Sequence, residues 1–230
     1  MFSETYMISS ADQIKLSAFF SRLYAWMAGA LVLSAFVAWG MGTNPQAVQF
    51  LTTHINLLYL AIVAELVVVI LLSAMLHRIS VTTAILGFML YAALTGFTLS
   101  IIFLVYTAAS ITTTFLVTAG SFGALSLYGF TTRSNLGAWG GFLIMSLIGM
   151  IIASLINLFL HSAMVQWILT YAGVIIFAGL TAYDTQKLKA MCLMSEGEGL
   201  AKLAVYGALN LYLDFINLFL HLLQLFGRRK

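Results

Sequence analysis

Charge is what this sequence lacks most: Lys, Arg, Asp and Glu together make up 7% of its 230 residues. A water-soluble fold of this length needs a polar surface, and these residues are too few to supply one. Cysteine occurs once, as Cys192, which excludes an intramolecular disulfide and falls short of any thiolate metal site. No basic run alternates with aromatic residues, so the net charge of +3 does not point to nucleic acid as a partner. In place of charge there is hydrophobicity, at 62% of residues and a mean hydropathy of +1.05. The partner of such a surface is the lipid bilayer, and the fold class is an all-α polytopic membrane protein.

Seven windows are long enough to cross about 30 Å of hydrocarbon at about 1.5 Å per residue. They lie near 23–40, 55–76, 81–106, 110–130, 137–160, 164–187 and 203–226. Turn or polar signals separate them: Gly40 to Pro45, His77-Arg78, Thr131 to Gly137, His161-Ser162, and Lys187 to Lys202. The last of these is the longest connector and the one with room for a mobile loop. The chain reads as a single seven-helix domain over 1–230, with a short cytoplasmic segment at 1–22. The first apolar run, Leu23 to Trp39, has a superficial likeness to a secretory signal, but it exceeds the usual length and further spans follow. It reads as an uncleaved first helix.

Alternating the loops between two sides gathers Lys15, Arg22, Arg78, Arg133, Lys187, Lys189 and Lys202 on one side, with no Lys or Arg in the three loops opposite. Positively charged loops stay in the cytoplasm, so the N-terminus is expected there. Trp26, Trp39, Trp139 and Trp167 fall near predicted helix ends, as an interfacial belt requires. Arg228, Arg229 and Lys230 disagree, because an odd number of crossings puts them outside: either the last helix is re-entrant or a short basic tail is tolerated there. Ile-Asn-Leu-Phe-Leu-His occurs at both 156–161 and 216–221, read as the trace of a parallel repeat or as coincidence in an apolar chain. Small residues four apart, Ala25 with Gly29, Gly96 with Ser100 and Ala119 with Gly123, are read as places where helices approach closely.

A charge at the bilayer centre costs about 2.5–3.5 kcal/mol, so ionisable residues inside spans are candidate functional groups. Three stand out. The last span carries Asn210, Asp214, Asn217, His221 and Gln224 at spacings of four, three, four and three, which places them on one helical face. That stripe cannot face lipid, so the last helix is expected at the centre of the bundle, with the stripe lining a polar interior. Asp184 lies near the cytoplasmic end of the sixth span, read either as functional or as a solvated acid paired with Lys187 or Lys189. Glu65 stands midway along the second span with no partner near in sequence. Arg78, just beyond that span, reads as a topological anchor or as the partner of an acid.

At Thr181-Ala-Tyr-Asp184-Thr-Gln and at Leu211-Tyr-Leu-Asp214-Phe-Ile-Asn-Leu-Phe the sequence resembles the Bax inhibitor-1 family, also called Lifeguard or TMBIM proteins, and especially its bacterial inner-membrane members. Tyr91 to Ser100 and Ser126 to Thr132 are similar to family sequence too. The resemblance implies a seven-helix fold whose last helix is central and wrapped by the other six. It also implies a pH-sensitive calcium leak in the cell inner membrane. There an aspartate from each of the last two helices, here Asp184 and Asp214, serves as pH sensor and ion pathway. Two carboxylates in low dielectric resist ionising together and share a proton. With asparagine oxygens and water they would form a weak transit site for Ca2+, which takes six to eight oxygen ligands. Asn210, Asn217, His221 and Glu65 are then path-lining residues. Some bacterial relatives latch the acid pair with an arginine after the second helix; here that basic cluster is thinned to His77-Arg78, which leaves the latch role of Arg78 open.

An enzyme is not expected. Presenilin-type aspartyl proteases need Gly-x-Gly-Asp and Pro-Ala-Leu motifs, yet Asp214 follows Leu211-Tyr-Leu and the only proline is Pro45. A retinal protein would want a lysine in the middle of the last span, and none is there. No cofactor is expected beyond transient Ca2+. The alternatives are a non-conducting modulator that binds a membrane protease or stress-response partner, and a proton-coupled transporter.

Overall fold

The structure is a computed structural model that describes residues 9–75 and 78–230. Among them the chain forms nine helices: α1 (Ser10–Thr43), α2 (Pro45–Thr53), α3 (Ile55–Met75), α4 (Val81–Leu99), α5 (Ile102–Val105), α6 (Ala108–Thr131), α7 (Gly137–Leu160), α8 (Ala163–Met194) and α9 (Gly197–Phe226). Seven helical spans are long and apolar enough to cross a membrane, α4 and α5 together making one of them.

Three boundaries differ from the sequence reading. Helix α1 starts thirteen residues before Leu23, at Ser10, because Ser9 and Asp12 form a reciprocal capping box. The added turns bury Leu16, Phe19 and Phe20 in the bundle, so most of 1–22 is helix, with residues 1–8 outside the described part. Trp26 consequently falls in mid-helix against the core, whereas Trp39, Trp139 and Trp167 are exposed. The expected long connector at 187–202 is Ser195-Glu196 alone. The charges there mark where the helices enter water and not where they stop: Leu188 and Cys192 on α8 and Leu203 and Ala204 on α9 are buried. Finally, Asn44 and Pro45 do more than turn the chain. The Asn44 side chain caps Gln46 and Ala47, and Pro45 opens α2 at the position where its missing N–H costs nothing.

Helix α9 is central. In its most apolar stretch 67% of residues are buried, against 11–33% in the other six spans. The expectation that six helices wrap it is corrected to four: α1, α4, α6 and α8 pack on α9, while α3 packs chiefly on α4 and α7 on α8. Seven helices of similar girth cannot all reach one axis once two of the gaps are closed by neighbours. The glycines show where helices approach most closely. A side chain at Gly96 would meet the backbone of Ser34 on α1, as its small-residue spacing suggested. Gly29 and Gly123 have nothing within 4 Å, so those two pairs do not mark close approaches. The tightest contacts fall at Gly129 against the Ala182 backbone and at Gly173 against the His221 ring, where no paired spacing announced them.

The tail settles the number of crossings. Arg228 O accepts from Thr107 N at 3.0 Å, Lys230 N donates to Val105 O at 2.9 Å, and Lys230 Nζ donates to Phe103 O at 2.6 Å. These partners sit on α5 and just before α6, at the end of the bundle opposite the start of α1, where Lys15 Nζ donates to Leu193 O at 3.3 Å. Helix α9 therefore runs unbroken from one end of the bundle to the other, which does not fit a re-entrant helix. Cysteines placed at Glu196 and at Arg229 should be labelled by a membrane-impermeant thiol reagent from opposite faces; labelling from one face would contradict this topology. Cys192 is buried and provides a silent background.

Candidate functional site

Helices α8 and α9 run antiparallel, and their side chains fix the register. The His221 ring lies against Gly173 and stacks on Phe177 at 5.7 Å. Gln224 accepts from Thr170 Oγ1 at 3.0 Å and from Gln166 Nε2 at 3.3 Å. In this register Asn210 comes level with Asp184, and Asp214 lies one turn deeper, about 6 Å along the axis. The polar stripe of α9 thus faces α8, and Asp184 and Asp214 lie within electrostatic reach of each other.

Asp214 is 5% exposed and its Oδ2 has no hydrogen-bond partner among the described residues. Asp184 is half-buried; Lys187, three residues on, lies within electrostatic reach of it. Asn217 donates to Leu213 O within its own helix at 2.9 Å, leaving its amide oxygen uncommitted. His221 Nδ1 is buried without a partner. A buried polar atom left unpaired costs about 1–3 kcal/mol. Two such atoms on one stripe, at Asp214 and His221, show that this interface is not optimised for stability. The oxygen donors on this stripe are the two carboxylates and the Asn210 and Asn217 amides. Among the described residues no three His, Cys, Asp or Glu side chains converge.

Glu65 belongs to a different cluster, on another face of α9. Its Oε1 accepts from Thr98 Oγ1 at 2.7 Å, and Thr95 and Tyr91 lie beside it. The cluster reaches α9 through Tyr212, whose hydroxyl bonds Ser34 Oγ at 2.6 Å; Ser34 in turn donates to Ala92 O. Tyr212 and Asp214 are two residues apart, which points them in nearly opposite directions from the helix. Arg78 is exposed in the turn after α3 and forms no ion pair with either aspartate; the pair Lys202–Glu198, at 3.1 Å, is the salt bridge found among the described residues. His77 lies outside the described residues.

Sequence reasoning missed the partners on α8. Gln166 and Thr170, one turn apart near the start of α8, meet Gln224, while Thr181 and Thr185 bond to carbonyls of their own helix. It also missed the chain from Tyr24 through Ser126 to Thr185, in which the Tyr24 and Ser126 hydroxyls bond each other and Ser126 Oγ lies 2.9 Å from Thr185 Oγ1. This chain ties α1 and α6 to α8 one residue from Asp184.

Comparison with known proteins covers nearly all of the chain. The family described as "Inhibitor of apoptosis-promoting Bax1" matches residues 16–230. The inner membrane protein YbhL of Escherichia coli K12 is 51% identical over 218 residues, spanning 94% of this chain and 93% of that protein. An uncharacterized protein of Borreliella burgdorferi is 42% identical over 215 residues, covering 92% of each chain. Another, from Deinococcus radiodurans, is 40% identical over 220 residues, covering 95% of this chain and 93% of its own.

Proposed function

Because the chain belongs to the Bax inhibitor-1 family, we propose that it is a passive, pH-sensitive Ca2+ leak of the bacterial inner membrane, gated by protonation of Asp184 and Asp214. The observation that carries this reading is Asp214: a carboxyl group 5% exposed on the central helix, its Oδ2 without a hydrogen-bond partner among the described residues, opposed by a second carboxylate on α8. Adding or removing one proton there changes the charge of the whole α8–α9 interface. In a medium of low dielectric that change is large compared with the packing energies that hold two helices in register. The inner-membrane location follows YbhL, which is named for it, and the basic loops at that end support a cytoplasmic N-terminus. The reading involves no catalytic step and no resident cofactor; Ca2+ is cargo.

A second reading, a non-conducting modulator that binds a membrane protease or stress-response partner, draws on the outer spans. Leu66 and Ile70 on α3 and Ile152 and Leu155 on α7 present large apolar side chains outward, a surface that suits another helix as well as lipid. Flux separates the two. Liposomes containing only this protein should admit Ca2+ at a rate that changes between pH 6 and pH 8, and the double change Asp184→Asn with Asp214→Asn should flatten that profile. Flux no greater than that of empty liposomes at every pH would remove the leak and leave the modulator.

A further inference from the structure

Where α6, α7 and α8 meet, at the end of the bundle that holds the start of α1, the structure has a cavity of about 460 Å³ that the aspartate pair does not use. Arg133 lines it from the α6–α7 loop and Lys187 from α8, and among the described residues no acidic side chain lines it. Neither cation forms an ion pair among the described residues. The loop is held over the cavity by a single side chain: Gln186 Oε1 accepts from Leu136 N at 2.8 Å, and its Nε2 donates to Ser134 O at 2.9 Å. Arg133, exposed in that loop, lines the same cavity as Lys187. Lys187 is steadied over the Tyr183 ring at 5.7 Å. The positive end of α7 begins at Gly137, in the same wall. Opposite the cations, Ala190, Met191 and Met194 supply an apolar side.

We propose that this pocket binds a phosphate-bearing anion, with Arg133 and Lys187 as its ligands. Asp184 offsets part of the Lys187 charge, but neither Arg133 nor Lys187 is held in an ion pair among the described residues, so the cavity favours an anion between them, and a planar guanidinium suits phosphate oxygens two at a time. The phosphate comes either from an anionic lipid headgroup, whose glycerol and first methylenes would lie on the Met191–Met194 side, or from free phosphate in the adjoining water.

The test uses the full-length protein purified in detergent, with three probes: phosphatidylglycerol, phosphatidylcholine of the same acyl chains, and inorganic phosphate without lipid. Native mass spectrometry should show phosphatidylglycerol retained about tenfold more than phosphatidylcholine. Arg133→Gln with Lys187→Gln should bring the two lipids level, as should Arg133→Glu alone at its exposed loop position. Arg229→Gln, at the other end of the bundle, should not. If inorganic phosphate raises the melting temperature of the parent but not of the double variant, and lipid is not selected, free phosphate is the ligand. Equal retention of both lipids by the parent, with no response to phosphate, overturns the site. None of these readouts depends on ion flux, so failure of the leak proposal would leave this one standing.

Discussion

Replacing Asp214 by leucine is expected to raise the melting temperature of the purified protein while weakening the pH response of its Ca2+ flux. The carboxyl group is buried in the middle of the central helix and its Oδ2 has no partner. Removing an unsatisfied buried polar group recovers about 1–3 kcal/mol, or of the order of 5 °C in a protein of this size. Leucine is close in length and belongs to the apolar company already present at Leu218 and Leu180. Function should move the opposite way, because the variant has no proton to exchange at this position. Asp184→Asn with Asp214→Asn makes the complementary test: as permanently neutral mimics of the fully protonated pair, the two amides should hold the flux at the parent's acid-limit value at every pH. A thermal shift assay and the liposome measurement read the two effects separately. A fall in melting temperature for Asp214→Leu would mean that the carboxyl group stabilises the bundle, and the argument that it is retained for function would fail.

Gly129→Leu should prevent the bundle from assembling, and Gly123→Leu, six residues earlier on the same helix, should be tolerated. At Gly129 a Cβ would lie 2.9 Å from the Ala182 Cα and closer still to its carbonyl oxygen. Backbone cannot rotate away as a side chain can, so α6 and α8 would have to separate. The cost then exceeds the ~1–3 kcal/mol typical of an overpacked core, because separating these helices also opens the Ser126–Thr185 hydrogen bond and the contacts around Asp184. At Gly123 nothing lies within 4 Å, and the side chain would enter a crevice of about 520 Å³ between α1 and α6. Yield of monodisperse protein after detergent extraction distinguishes them. Equal yields would show that the α6–α8 contact is looser than described.

Much of this was legible in the sequence because the bilayer is a demanding solvent. It requires long apolar helices with internally satisfied backbones, and seven such runs can be counted directly. The stripe from Asn210 to Gln224 was legible for the same reason: five polar residues on one face cannot meet lipid, so they had to turn inward. The α8–α9 boundary was not, since Lys187, Lys189 and Lys202 signal water whether the backbone is coiled or helical. Nor could spacing reveal that Glu65 and the aspartates sit on different faces of α9, because Glu65 is carried by α3, which reaches α9 only through α4 and Tyr212.

The hexapeptide that occurs twice divides the two contributions most clearly. Ile-Asn-Leu-Phe-Leu-His is helix-forming and apolar at both 156–161 and 216–221, and local sequence makes it membrane helix in both places. On α7 it ends the helix at the rim of the bundle, where Phe159 is 86% exposed. On α9 the same residue type, Phe219, is 4% exposed, and His221 is pressed against Gly173. Composition decided that this chain dissolves in lipid and that its polar residues must find one another. Which of them meet was decided by the packing of four helices around α9, since identical hexapeptides carry no information about their neighbours.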